Sequence, residues 1–171
     1  MKMKKEIFKI LKNGYCYLIK ENKPDKSYEL LRLLMKNKVE PFCITRLHPK
    51  QVKWKYKIKI RTLWLSKKGY DYCLSPTDLG VFVSTVEEFI KTTKNGVLLI
   101  DGLEYLIINN NFPVILKVIE DINDSIMESN CKLLLPIDPN TLDEKELALL
   151  GRNLEVIEPE KLSGRKDIIA L

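Results

Sequence analysis

Along the chain, short unbroken apolar runs alternate with longer stretches in which apolar residues return every third or fourth position. "YCYLI" (15–19), "PFCIT" (41–45), "TLWLS" (62–66), "VLLI" (97–100), "CKLLLPI" (131–137) and "LEVI" (154–157) have strand length and few polar interruptions. A strand with one wet face alternates, whereas a continuous apolar run is covered on both faces. Between the runs the spacing changes to helical. "PDKSYELLRLLMKN" (24–37) sets Leu30, Leu31, Leu34 and Met35 on one side, and "HPKQVKWKY" (48–56) is a short helix opened by Pro49. "PTDLGVFVSTVEEFIKTTKNG" (76–96) predicts a helix closed by Asn95 and Gly96. Residues 112–128 and "LDEKELALL" (142–150), stopped by Gly151, predict two more. Strands joined through helices of this length need crossover connections, so the expected fold is a three-layer α/β domain with a mainly parallel sheet.

That domain is expected over residues 14–157. Residues 1–13 place Met3, Ile7, Ile10 and Leu11 on one face of a basic amphipathic helix, and 158–171 form a C-terminal tail. At 171 residues, 45% of them apolar, the chain can bury one core of its own. It has no apolar run long enough to span a bilayer and no cleavable leader pattern, so a cytoplasmic location without membrane contact is expected. Cys16, Cys43, Cys73 and Cys131 lie far apart and are expected to be reduced thiols. With one histidine, His48, and no paired cysteine spacing, the sequence implies no metal and no cofactor.

Charge divides the chain. Residues 1–70 carry 20 Lys+Arg against 5 Asp+Glu, residues 71–171 carry 9 against 18, and no acid stands between Glu40 and Asp71. Such asymmetry marks surfaces that meet nucleic acid or acidic partners, and also halves that face one another.

In open parallel sheets ligands bind beyond the carboxyl ends of the strands. Here those ends are "KENKPDKS" (20–27), "TRLHP" (45–49), Ser66 with "SPTD" (75–78), "DGLEY" (101–105) and "DPNT" (138–141), all polar. The first has the length and ending of a phosphate-binding loop, G-x-x-x-x-G-K-[ST]. Lys26 and Ser27 fill its last two places, but Lys20 and Asp25 stand where both glycines belong. "VLLID" resembles the strand whose terminal acid holds magnesium in ATPases of this class. An intact loop aims backbone N–H groups at phosphate, which needs glycine conformations and no opposing charge. Pro24 removes one N–H, and Asp25 is expected to direct a carboxylate to the phosphate position.

"CITRLHP", "LWLS", "LSPTDL", "VLLIDGLEYLIINNNF" and "DPNTLDEKELALL", in this order, resemble the archaeal domain of unknown function eight-three-five. The resemblance implies a core similar to the RecA/KaiC-type ATPases with a lost or altered phosphate loop, often coupled to sensory or signalling modules, and it implies no reaction. The characteristic positions it brings are Arg46, His48, Ser75, Pro76, Thr77, Asp101, Gly102, Glu104, Tyr105, Asp138 and Pro139.

"KWKYKIKIR" (53–61) admits two readings, a strand of period two or the end of a helix, a linker and the start of a strand. The second is preferred, since His48 and Pro49 supply a helix start and Val52 and Tyr56 fall at i and i+4. Both turn Lys53, Lys55, Lys57, Lys59 and Arg61 outward, and the rings of Trp54 and Tyr56 are expected on the buried side. His48 is expected to cap the helix or to bridge the loop. Asp101 and Glu104 form an acid pair without a nucleophile–base dyad, and Asp101 suits an N-cap equally well, so no catalytic residue is assigned.

The function expected is a non-catalytic regulatory or ligand-sensing domain, its partner a small molecule or a signalling protein. Its site would be drawn from Arg46, His48, Ser75, Thr77, Asp101, Glu104 and Asp138. Two competitors stand: a nucleic-acid-binding protein using the basic 46–68 surface, and a residual nucleotide hydrolase using Lys26, Ser27 and Asp101. Changing Lys53, Lys55, Lys57 and Lys59 to Gln is expected to leave folding stability within about 0.5 kcal/mol per site, as measured by urea denaturation.

Overall fold

The structure is a computed structural model and describes residues 11–159. Of the expected N-terminal helix only residues 11–13 are described, and they are not helical; the rest of it and the tail from residue 160 lie outside the described residues. Seven strands form one sheet: β1 (Cys16–Lys20), β2 (Glu40–Thr45), β3 (Thr62–Leu65), β4 (Cys73–Leu74), β5 (Gly96–Asp101), β6 (Cys131–Ile137) and β7 (Glu155–Ile157). Their order is β4-β3-β2-β5-β6-β1-β7, and each pairing is parallel. The helices are α1 (Asp25–Met35), α2 (Pro49–Tyr56), α3 (Leu79–Thr92), α4 (Leu103–Asn109), α5 (Phe112–Met127) and α6 (Glu144–Gly151), with a 3₁₀ turn at Pro139–Thr141.

Both faces of the central strands are dry, which accounts for the unbroken apolar runs. Leu18, Phe42, Ile44, Leu98, Ile100, Leu133 and Leu135 pack in one cluster with α3, α4, α5 and α6. The alternate positions Tyr17, Ile19, Cys43, Val97, Leu99 and Leu134 pack on the other face with Tyr28, Leu31 and Leu34 of α1 and Val52 of α2. Adjacent residues of a strand thus serve different cores.

The distribution of helices follows from handedness. The chain steps one way across the sheet from β1 to β2, β3 and β4, then returns through β5 and β6 to β7. A right-handed crossover lays its helix on opposite faces for opposite directions of travel, so α1 and α2 cover one face and the later helices the other. Two crevices result where neighbouring strands send their helices to opposite sides. One lies between β2 and β5, the other between β6 and β1.

Three elements differ from the sequence expectation. The helix closed by Asn95 and Gly96 ends instead at Thr92, and Gly96 opens β5. A Cβ there would come 2.8 Å from Thr93 Cγ2 and 2.9 Å from Cys131 Sγ, so close packing, not a helix stop, requires glycine. Neither α4 nor β4 was legible in the apolar pattern: β4 is two residues long, and α4 follows β5 with Gly102 alone between them. The four cysteines are free; Cys16, Cys43 and Cys131 are buried and Cys73 half-buried. Among the described residues no helix is long and apolar enough to cross a membrane.

In "KWKYKIKIR" the helical reading holds, with α2 ending at Tyr56 and β3 beginning at Thr62. The expectation for the rings is corrected by half. Tyr56 stacks on the buried Tyr28 with centroids 3.9 Å apart, whereas Trp54 is 77% exposed. Val52 and Tyr56 define the inner side of α2, and Trp54, two positions from each, lies opposite. Trp54→Ala should therefore leave stability within about 0.5 kcal/mol, while Tyr56→Ala should cost roughly 2 kcal/mol through lost stacking and packing; chemical denaturation of both variants checks the contrast.

Candidate functional site

At the β2–β5 crevice Thr45 and Asp101 end their strands in register. The Thr45 hydroxyl donates to Asp101 Oδ2 at 2.9 Å and accepts the Leu47 N–H at 2.9 Å. Tyr28 reaches in from α1, its single proton shared between Thr45 Oγ1 at 3.0 Å and Asp101 Oδ2 at 3.3 Å. Asp101 is thus not the N-cap of α4, a place taken by Gly102. Burial is the main influence that pushes the Asp101 carboxyl up to about 6; the Thr45 and Tyr28 hydroxyls oppose it and the Glu104 charge reinforces it.

Gly102 lets the chain leave β5 at this spot. Its φ is +146°, a Cβ would stand 2.8 Å from Leu65 Cδ1 and 3.4 Å from the Arg46 backbone nitrogen, and Arg46 N–H donates to Asp101 O at 2.7 Å. The Arg46 side chain is held against the same edge. Its guanidinium lies 4.2 Å from the Tyr105 ring centroid and 5.8 Å from that of Trp64, and donates to Leu65 O at 2.8 Å. Of its two expected roles His48 takes the capping of α2, Nδ1 accepting the Lys50 N–H at 3.1 Å, with its ring edge-on to Trp64 and Tyr72. Ser75 and Thr77 bond one another at 3.1 Å beyond β4.

The β6–β1 crevice holds the loop that resembles a phosphate cradle. Pro24, at the N-cap of α1, offers no side-chain cap, and the orphan N–H groups are met by a residue the sequence reading did not single out. Glu21 Oε2 accepts the Lys26 N–H at 3.0 Å, and Oε1 accepts the Ser27 N–H at 3.1 Å and the Ser27 hydroxyl at 2.5 Å. The carboxylate occupies the position expected for Asp25, which turns instead to Tyr56 (2.8 Å) and Lys55 (3.3 Å) on α2. Lys26 Nζ pairs with Glu29 at 2.9 Å, and Lys20 Nζ lies 3.6 Å from Glu158. Burial raises the Glu21 carboxyl while Ser27 and the two amides draw it down.

Glu104 joins the two crevices, its Oε1 accepting the Asp138 N–H at 2.9 Å. Asp138 caps the following turn through the Asn140 N–H at 3.0 Å. The structure therefore brings Arg46, His48, Asp101, Glu104 and Asp138 to one edge, with Ser75 and Thr77 past the end of β4. Of the basic surface, Lys53, Lys57 and Lys59 are exposed; Lys55 is tied to Asp25, and the Arg61 guanidinium lies 4.4 Å from the Phe42 ring centroid. Among the described residues no group of His, Cys, Asp and Glu is placed to hold a metal.

With the order of strands and the contents of both crevices in place, comparison with known proteins decides the family. The chain belongs to the family described as Protein of unknown function (DUF835), which it matches over residues 20–154. No curated protein matches it. The fold is similar to that of the Pyrococcus horikoshii OT3 protein PH0250, at a TM-score of 0.63 and 11% identity, covering 91% of this chain and 86% of that one. It is also similar to the flagellar accessory protein FlaH from Methanocaldococcus jannaschii, at a TM-score of 0.55 and 14% identity, covering 92% of this chain and 76% of that one. At these identities the likeness shows the fold alone, a three-layer α/β domain around a parallel sheet, for this DUF835 chain.

The Asp101 pKa has a consequence for stability. A free aspartate titrates near 3.9, so the folded DUF835 chain binds this proton more tightly. The stability so gained is fully present below about pH 4 and lost as pH rises through about 6. Asp101→Asn is neutral throughout. Its stability relative to the parent should rise from pH 4 to pH 8 by up to about 3 kcal/mol, read from urea denaturation at both pH values; a difference that does not change with pH would show that Asp101 titrates normally.

Proposed function

We propose that this DUF835 domain is a non-catalytic regulatory or ligand-sensing module whose ligand meets the carboxyl edge of the sheet around Arg46, Asp101 and Glu104. The carrying observation is the Glu21 carboxylate on the Lys26 and Ser27 amides and the Ser27 hydroxyl. In an intact phosphate loop those groups serve phosphate and its magnesium ion. Here an anion that belongs to the chain takes them, next to Pro24 and without the loop glycines. Lys26 is drawn to Glu29, and the Asp101 oxygen that would face a hydrated magnesium ion accepts two hydroxyls. Each departure acts against nucleotide chemistry independently of the others.

What is left at the edge suits recognition. Arg46 is stacked and oriented, and Asp101, though raised to about 6, is mainly the carboxylate at neutral pH, so a ligand that donates to Asp101 or accepts from Arg46 finds prearranged partners.

The test is to look for a retained small molecule by native mass spectrometry of the purified protein and to measure ATP turnover with magnesium. The expected result is a bound species lost in Arg46→Ala or Asp101→Asn, with turnover at background for the parent. Glu21→Ala should lower stability by about 1–2 kcal/mol, since two helix N–H groups lose their acceptor, and should still show no turnover. Saturable hydrolysis abolished by Lys26→Ala or Asp101→Asn would overturn the proposal in favour of a nucleotide hydrolase.

A further inference from the structure

A ladder of planar groups crosses the outer part of the carboxyl edge. Tyr105 and Trp64 flank the Arg46 guanidinium at 4.2 and 5.8 Å; Trp64 and Tyr72 are near-parallel, 16° apart with centroids at 6.5 Å; Tyr72 and Tyr70 follow at 5.5 Å and 29°. His48 sets its edge against Trp64 and Tyr72, which fixes the middle of the ladder. The far end is open: Tyr72 is 39% and Tyr70 52% exposed. Neither ring is needed to cover a core, because β4 sends Leu74 inward beside them.

The loop that holds the tyrosines in place is ordered by the backbone. Gly69 turns at φ +76°, Lys68 N–H donates to Ser66 Oγ at 3.2 Å, Cys73 N–H to Tyr70 O at 2.8 Å, and Trp64 N–H to Tyr72 O at 2.8 Å. Lys67 and Lys68 project from this loop, both exposed, and Lys50 and Lys53 are exposed on α2, the helix that His48 caps. Asp71 is the single acid between Glu40 and Asp78. Of the two acids near the Arg46 end, Asp101 is engaged by Thr45 and Tyr28, and Glu104 by the Asp138 amide.

We infer that the Tyr70–Tyr72–Trp64 ladder and the surrounding lysines form a binding surface for single-stranded nucleic acid, the bases stacking on the rings and the phosphates meeting Lys50, Lys53, Lys67 and Lys68. Rings stack on any base and cations attract any phosphate, so the surface recognises an unpaired strand rather than a sequence. A duplex hides the base faces that the ladder requires. Trp54 stands on α2 outside the ladder, so the alternation in "KWKYKIKIR" contributes charge while the stacking comes from residues 64–72. This surface meets the proposed small-molecule site only at Arg46, and the two are separable: Asp101→Asn addresses that site, and the tyrosines address this one.

The test is fluorescence anisotropy with labelled twelve-nucleotide oligo-dT and oligo-U and with a duplex of the same length, from 50 to 300 mM salt. Saturable binding of one or both single strands is expected, weaker for the duplex, with log affinity falling against log salt by about 0.7 for each phosphate contacted. Tyr70→Ala/Tyr72→Ala should weaken binding by roughly 5- to 100-fold per stacked base, and Tyr70→Phe/Tyr72→Phe should restore it, with the same circular-dichroism melting as the parent. Gln at Lys50, Lys53, Lys67 and Lys68 should flatten the salt slope. Preference between the two oligomers assigns RNA or DNA. Absence of saturable binding at 50 mM salt, equal affinity for duplex, or binding undiminished in the folded Tyr70→Ala/Tyr72→Ala variant would each overturn the inference.

Discussion

The handedness of crossovers between parallel strands is the constraint on which the rest depends. A chain that travelled only one way across the sheet would cover one face and leave no crevice between divergent helices. This chain reverses after β4 and so opens two, one at β2–β5 and one at β6–β1. Asp101 and Thr45 flank the first, and Glu21 and Asp138 follow the strands that flank the second. The polar residues are therefore gathered by topology before any of them contacts another. Glu104, reaching from α4 to the Asp138 amide, then ties the two places together.

At the second crevice the decisive quantity is the electrostatic demand of a helix N-terminus. Free N–H groups and the helix dipole favour an anion, and nature can supply it from solvent or from the chain. Serine or aspartate at the N-cap would do so locally, but Pro24 has nothing to offer. Glu21 answers from the start of the loop. Asp25, the acid nearer in sequence, begins the helix itself and points to α2, where Lys55 and the Tyr56 hydroxyl give it better partners and hold it below the usual carboxylate range, the Tyr56 hydrogen bond contributing most.

Much of the fold was legible because burial on both faces leaves a trace in composition: β6 was bounded correctly from "CKLLLPI" and most other strands to within one residue. The capping role of His48 was one of two that the sequence allowed, since Pro49 marks a first helical turn. What escaped had no local signature. β4 is two residues held by β3, and the acceptor for α1 sits five positions before the first N–H it serves, a distance set by the loop path and not by periodicity. The ladder was missed for a related reason. Trp64 belongs to a strand, Tyr70 and Tyr72 to a loop, and only the pairing of β3 with β4 stacks them; attention to alternating residues 53–61 led to Trp54, which the helical period turns outward alone.

Tyr28 carries the argument from the crevice to the surface. Its hydroxyl faces Thr45 and Asp101, its ring lies on Tyr56 at an interplanar angle of 8°, and the Tyr56 hydroxyl donates to Asp25 on α1. Burial raises both phenols far from ionisation, so they act as fixed dipoles and not as charges. Asp101, whose carboxyl does titrate, thus accepts a hydrogen bond from one member of a stack that also seats α2. Protonation removes its negative charge and leaves one fewer acceptor lone pair for Thr45 and Tyr28, while the Tyr56 side of the stack borders an open cavity lined by Asp25, Tyr28, Glu29, Arg32, Lys55 and Tyr56. α2 bears Lys50 and Lys53 on its outer side. The carboxylate at the end of β5 and the basic helix are in this way joined by a continuous run of contacts, from Asp101 to the Tyr28 hydroxyl and from the Tyr28 ring to Tyr56.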